Sequence, residues 1–249
     1  MAIVITLAVV AFIAVVLFSS SKPLSPIDEL KAMQLTPKGK EELLKTIARL
    51  ETGDAYASWL IGGNYEDGHI ATIAGNAPFP KSKAKAIWWK RKSAEDGCGM
   101  AQYNLGRMYL YGEEQSDNLV EKNSGEALKW LHRAAENGEF YSLAALGEVY
   151  FLGIGVPQDF AKSFEWFSKS INHATARQYD FYDAGLRLGE MYAAGNGVDR
   201  DLVQAYKWMT IAGRDPDQHH TFPLKGRLST AERANALHLA EEWRKRPNA

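Results

Sequence analysis

The sequence predicts an all-α chain, an α-solenoid built of helical hairpins, and three observations predict it. Four stretches share the template small-x3-aliphatic-Gly-x2-Tyr-x2-Gly: ASWLIGGNYEDG (57–68), AQYNLGRMYLYG (101–112), SLAALGEVYFLG (142–153) and AGLRLGEMYAAG (184–195). Their internal glycines, Gly62, Gly106, Gly147 and Gly189, recur at spacings of 44, 41 and 42. A second template, small-x2-Trp, falls between them at Ala86-x2-Trp89, Ala127-x2-Trp130, Ser163-x2-Trp166 and Ala205-x2-Trp208. The third observation is Gly-x-Gly-Val-x-x-Asp, found at GIGVPQD (153–159) and again at GNGVDRD (195–201), 42 residues on. A fixed period of this length marks stacked supersecondary units.

The elements follow in order. Residues 2–18, AIVITLAVVAFIAVVLF, are apolar except for Thr6 and predict a signal peptide or a transmembrane anchor over 1–21. Ser19 and Ser21 would permit cleavage before Lys22. Lys22, Lys31, Lys38 and Lys40 follow closely, and read literally they would hold the chain on the cytoplasmic face. A short N-terminal segment more often leads an export, so a periplasmic domain is the expectation. Residues 22–52 form a linker and an N-terminal capping helix. Thr36 is a good N-cap, Pro37 suits the first turn, and Leu43, Leu44, Ile47 and Leu50 keep helical spacing.

Residues 53–213 hold the four repeats. In each first helix a small residue and a glycine five apart leave room for a neighbouring helix backbone. A mid-helix glycine costs about 1 kcal/mol relative to alanine, and close approach offsets it. Gly68, Gly112, Gly153 and Gly195 end these helices, Asp159 and Asp201 N-cap the next, and each tryptophan anchors the second helix on the first. Residues 214–249 give a loop and a capping helix over about 230–245, with Ala236, Leu239, Ala240 and Trp243 on its buried side.

These residues resemble the Sel1-like repeat family, relatives of the tetratricopeptide repeats. The resemblance rests on Ala-x3-Leu-Gly-x2-Tyr-x2-Gly, on the Gly-x-Gly-Val-x-x-Asp turn, and on Ala-x2-Trp running into KSAEDG (92–97) or RAAENG (133–138). It covers about residues 53–213. The connections 69–83 and 113–126 and the insertion 172–183 depart from the pattern.

Composition narrows the function. Lys plus Arg number 29 against 30 Asp plus Glu, without the basic excess of a nucleic-acid binder. A lone Cys98 allows no intrachain disulfide. A nucleotide loop would need a third glycine where Gln158 and Arg200 stand, after a strand. There is no Gly-x-Ser-x-Gly, His-Glu-x-x-His, Cys-x-x-Cys or Walker motif. Of six histidines only His219 and His220 adjoin, in what reads as a polar loop. No catalytic residue, metal ligand or cofactor is expected.

What remains is a surface. With the small template residue as zero, positions +3, +6 and +10 lie opposite the glycine face at about 100° per residue. The stripe holds Leu60, Gly63 and Asp67; Asn104, Arg107 and Tyr111; Ala145, Glu148 and Leu152; Arg187, Glu190 and Ala194, with Phe151 just beside it. Asn104, Arg107, Tyr111, Glu148, Phe151, Leu152, Arg187 and Glu190 are the candidate partner-binding residues, on a concave face that takes another protein. The resemblance implies a non-enzymatic interaction module of the bacterial envelope. Its sharper form is an immunity protein neutralising a lipase or phospholipase delivered by type VI secretion. A scaffold for envelope assembly or signalling is the alternative, and a hydrolase built around His173 or His219 a third reading.

Overall fold

A computed structural model describes residues 24–72, 75–112, 120–173 and 182–246. The apolar segment 2–18 and most of the insertion after Asn172 lie outside the described residues. Among the described residues no helix is long and apolar enough to cross a membrane. The chain divides into two compact units, one ending at Ala86 and the other beginning at Ile87.

The first unit is not all helix. Helix α1 (Pro26–Ala32) is capped by Ser25 and buries Leu30. Helix α2 (Pro37–Glu51) starts at Thr36, whose hydroxyl accepts the Gly39 N–H, and buries Leu43 and Ile47. Helix α3 (Ala55–Asp67) ends at Gly68 in the left-handed conformation. An antiparallel hairpin then pairs β1 (His69–Thr72) with β2 (Gly75–Pro78), in a register that sets Ile70 opposite Ala77. This corrects the all-α expectation, which left 69–83 as a connection. The hairpin has a floor. A Cβ on Gly39 would lie 2.9 Å from the Ala77 Cβ, so the glycine lets β2 close on α2. Ile70, Ala77 and Phe79 are buried, and Phe79 meets the Tyr65 ring edge-on at 4.8 Å.

Helix α4 (Lys83–Glu95) leads into the second unit. There three hairpins follow, α5 (Gly99–Tyr111) with α6 (Ser124–Glu136), α7 (Phe140–Leu152) with α8 (Phe160–Asn172), and α9 (Tyr182–Ala194) with α10 (Leu202–Ile211). The second helix of each hairpin also packs on the first helix of the next, and α11 (Thr230–Lys245) closes the stack on α10. This is the arrangement of a solenoid.

The repeat glycines act as expected, with one change of partner. A Cβ on Gly106 would lie 2.8 Å from Leu131, on Gly147 2.7 Å from Phe167, and on Gly189 2.7 Å from Met209. These are the residues just after Trp130, Trp166 and Trp208, so the glycine seats the side chain following each tryptophan. Asp159 and Asp201 cap α8 and α10 as their positions predict. The second glycine of each Gly-x-Gly does more than turn. At Gly155 a Cβ would fall 1.9 Å from the Ser124 Cβ, and at Gly197 2.2 Å from the Phe160 carbonyl oxygen, with φ of +70° and +72°. Each turn therefore rests on the start of the preceding hairpin's second helix. The motif thus recurs, 42 residues on, where one hairpin seats on the one before it.

Candidate protein-binding groove

The faces of α5, α7 and α9 opposite the glycines do not meet solvent singly. In the second unit they line one groove of about 970 Å³, which residues 220–222 also line. Seven of the eight sequence candidates lie on it: Arg107 and Tyr111 from α5, Glu148, Phe151 and Leu152 from α7, Arg187 and Glu190 from α9. Asn104 does not. Its side-chain amide donates to the Met100 carbonyl of its own helix at 2.8 Å. Leu60, Gly63 and Asp67 belong to α3 in the first unit.

The helical count explains the omissions on the helix faces but not the miss, since Ala145 and Arg187 hold the same +3 position as Asn104 and line the groove. Position +3 sits at about 300°, the edge of a stripe whose middle, between +6 and +10, is near 260°. Position −1 also falls at about 260°. It is occupied by Tyr141 on α7 and Asp183 on α9, and both line the groove. Tyr103, at +2 of α5 and about 200°, joins them from the other edge of the stripe. His220, Thr221 and Phe222 from the loop after α10, Asn196 from the turn after α9, and Phe167 and Ser170 from α8 lie outside that count.

The groove has two chemistries. Between α5 and α7 it is aromatic. Tyr103 and Tyr141 stack at 5.8 Å between centroids, and the Arg107 guanidinium lies over Tyr103 at 5.8 Å and over Tyr111 at 5.9 Å. Burial pushes the Tyr103 hydroxyl above its usual pKa, with Arg107 opposing. Among the described residues no carboxylate pairs with Arg107. Tyr111 is 62% exposed and Leu152 55%.

Between α7 and α9 the groove is ionic and satisfied from within. Arg187 Nε donates to Glu148 Oε1 at 2.7 Å and Arg187 Nη1 to Glu190 Oε2 at 3.0 Å. The guanidinium also covers the Phe151 ring at 5.0 Å. Burial opposes the charge on Arg187, but the two glutamates outweigh it and hold its pKa above the ordinary value. Behind Glu190 stands His219, whose Nε2 lies 3.5 Å from Glu190 Oε1 and whose Nδ1 accepts the Phe222 N–H at 3.2 Å. His219 is buried, which corrects its reading as part of a polar loop. Among the described residues no three His, Cys, Asp or Glu side chains gather to hold a metal ion. Cys98 sits half-buried at the start of α5, and Trp88 stands half-exposed, edge-on to Trp89 at 4.8 Å.

The Sel1 repeat description matches residues 74–98, 99–139, 141–174 and 183–217, together more than half of the sequence. This chain belongs to the Sel1 repeat family. The last three matches follow the three hairpins of the second unit, and the first begins only after α3. A Sel1 repeat protein from Oxalobacter formigenes is similar in structure, with a TM-score of 0.54 and 27% identity, over 79% of this chain and 48% of that one. Chitin synthase regulatory factor 3 of Schizosaccharomyces pombe is 33% identical over 135 residues, 54% of this chain and 13% of the relative. Chitin synthase regulator SKT5 of Malassezia restricta is 27% identical over 128 residues, 51% of this chain and 8% of the relative. This Sel1 chain thus spans a small part of both curated relatives, which are named as regulators. Sel1 repeats mediate protein binding, and the groove lies on three of them.

Proposed function

We propose that this Sel1 chain is a non-enzymatic module that holds a segment of another protein in the groove of α5, α7 and α9. The observation that carries the reading is the aromatic half. Tyr111 and Leu152 stand exposed in a concave wall beside Tyr103, Tyr141 and an Arg107 that no described carboxylate neutralises. Tyrosine and arginine are the residue types that anchor interfaces, and concave apolar surface of this kind marks interaction sites. The volume stands at the upper end of small-ligand pockets, roughly 300–1,000 Å³, and suits a helix or an extended segment better than a metabolite. No reacting pair is needed for this work, and both ring nitrogens of His219 are engaged in holding structure.

The finer form of the proposal concerns place and partner. Residues 2–18 export the chain or tether it to the membrane, with the repeats outside the cytoplasm. The partner is a toxic effector that the groove neutralises, or, in the alternative, a resident envelope protein. The tagged full chain, extracted from its native cells in mild detergent and analysed by mass spectrometry, separates these. One secreted lipase or other toxin, lost when Arg107→Ala and Tyr111→Ala are combined, makes this an immunity protein. A set of resident envelope proteins lost on the same substitutions makes it a scaffold. A partner retained by the double variant, or none in the wild type, overturns the groove as the binding site.

A further inference from the structure

We infer that His219 ties the rim of the groove to the ion network behind it, so that protonating its ring releases the rim. The rim is the short run His220-Thr221-Phe222, which lines the groove together with residues of the three hairpins. It is fastened at His219. The Nδ1 atom accepts the backbone N–H of Phe222, so it carries no proton, and the ring's single proton sits on Nε2, facing Glu190 Oε1 at 3.5 Å. The other oxygen of Glu190 takes Arg187 Nη1, and Arg187 in turn holds Glu148 on α7. A continuous path of polar contacts therefore runs from α7 through α9 to the backbone of Phe222.

A second proton can enter the ring only at Nδ1. There it converts the acceptor of the Phe222 N–H into a donor, and two donors then face each other. The hydrogen bond cannot survive, and the imidazolium cannot turn to water in place, because its side chain is only 4% exposed. The rim must move with it.

Three charged or titratable groups, and burial, decide when this happens. Glu190 on α9 favours the imidazolium and is already shared with Arg187. His220, with its ring 5.0 Å away, and Arg214 at the start of the same loop oppose it. Burial is the largest influence and also opposes it, so the His219 pKa lies below the ordinary imidazole range. The ring is neutral at neutral pH. The fastened rim is present above that lowered pKa and is lost as the pH falls through it.

Amide and ring resonances of the isotopically labelled full chain, followed by NMR from about pH 7.5 to about pH 5, test this. The expected result is a sigmoidal shift of the Phe222 amide, with loss of its exchange protection, at the midpoint of the His219 ring. His219→Gln should abolish that transition, and His220→Asn should leave it. A Phe222 amide that stays fixed while the His219 ring titrates overturns the inference, as does one that follows His220. The readout needs no partner, so it stands or falls separately from the binding proposal. Its consequence for binding rests on that proposal: acid should loosen whatever the groove holds.

Discussion

The α5 wall and the α9 wall of the groove use the same stripe of the template for opposite ends. At +3 and +6 of α9 stand Arg187 and Glu190, which bind each other and reach across to Glu148 on the neighbouring hairpin. At +6 and +10 of α5 stand Arg107 and Tyr111, stacked on each other and open to solvent. The family template fixes the glycine face and leaves this face free. One repeat has used that freedom to clamp hairpin to hairpin, and another to keep aromatic and cationic surface unspent. Charge at a variable repeat position is therefore not by itself a binding signal. It has to be charge that the fold does not consume.

The comparison breaks most completely if the α9 wall loses its seat. Gly197 follows α9, and a Cβ there would sit 2.2 Å from the Phe160 carbonyl oxygen and 2.7 Å from the Ala161 nitrogen, both backbone atoms. Gly197→Ala adds left-handed strain to a clash that cannot relax, and should cost about 2–4 kcal/mol. Gly138 has φ of +78° with nothing within 4 Å, so Gly138→Ala carries the strain alone and should cost about 1 kcal/mol. Urea unfolding midpoints of the two variants measure the difference, which is the contribution of the neighbour contact. Equal losses would reduce Gly197 to an ordinary turn glycine.

Arg187→Met comes next. It leaves Glu148 and Glu190 facing each other, partly buried and without their shared cation. With the arginine side chain one-third exposed, the expected loss is about 2 kcal/mol. Adding Glu148→Gln should restore part of it, because one stranded charge goes. A double-mutant cycle on unfolding free energies reads the coupling between the two sites. Simple additivity would mean that the network is surface decoration.

The hairpins, their caps and most of the stripe were legible in the sequence because the signals are local. Thr36, Asp159 and Asp201 each cap within three residues, and the helical count needs only its own helix. What escaped depends on contacts far along the chain. The strands His69–Thr72 and Gly75–Pro78 carry alanine, glycine, asparagine and proline, poor strand formers, and β2 closes on α2 through the room left at Gly39. The second glycine of each Gly-x-Gly reads as a flexible turn residue until Ser124 or the Phe160 carbonyl is found against it. Arg187 and Glu148 are 39 residues apart, and only the stacking of α9 beside α7 joins them. His219 looked exposed because its neighbours in sequence are polar, while its neighbours in space are Glu190 and Phe222.

The smallest effect on stability belongs to the α5 wall, and it sharpens the comparison most. Arg107→Ala with Tyr111→Ala removes the two cation–π contacts of Arg107, to Tyr103 and Tyr111, and a 62% exposed ring. Such a change should move the unfolding free energy by no more than about 1 kcal/mol. The same double variant is the one expected to lose the bound protein. Intact stability with lost binding would mark Arg107 and Tyr111 as surface kept for a partner, against the clamp of Arg187 and Glu190. A loss comparable to that of Arg187→Met would mean that the α5 wall is structural as well, and that the two halves differ in composition but not in role.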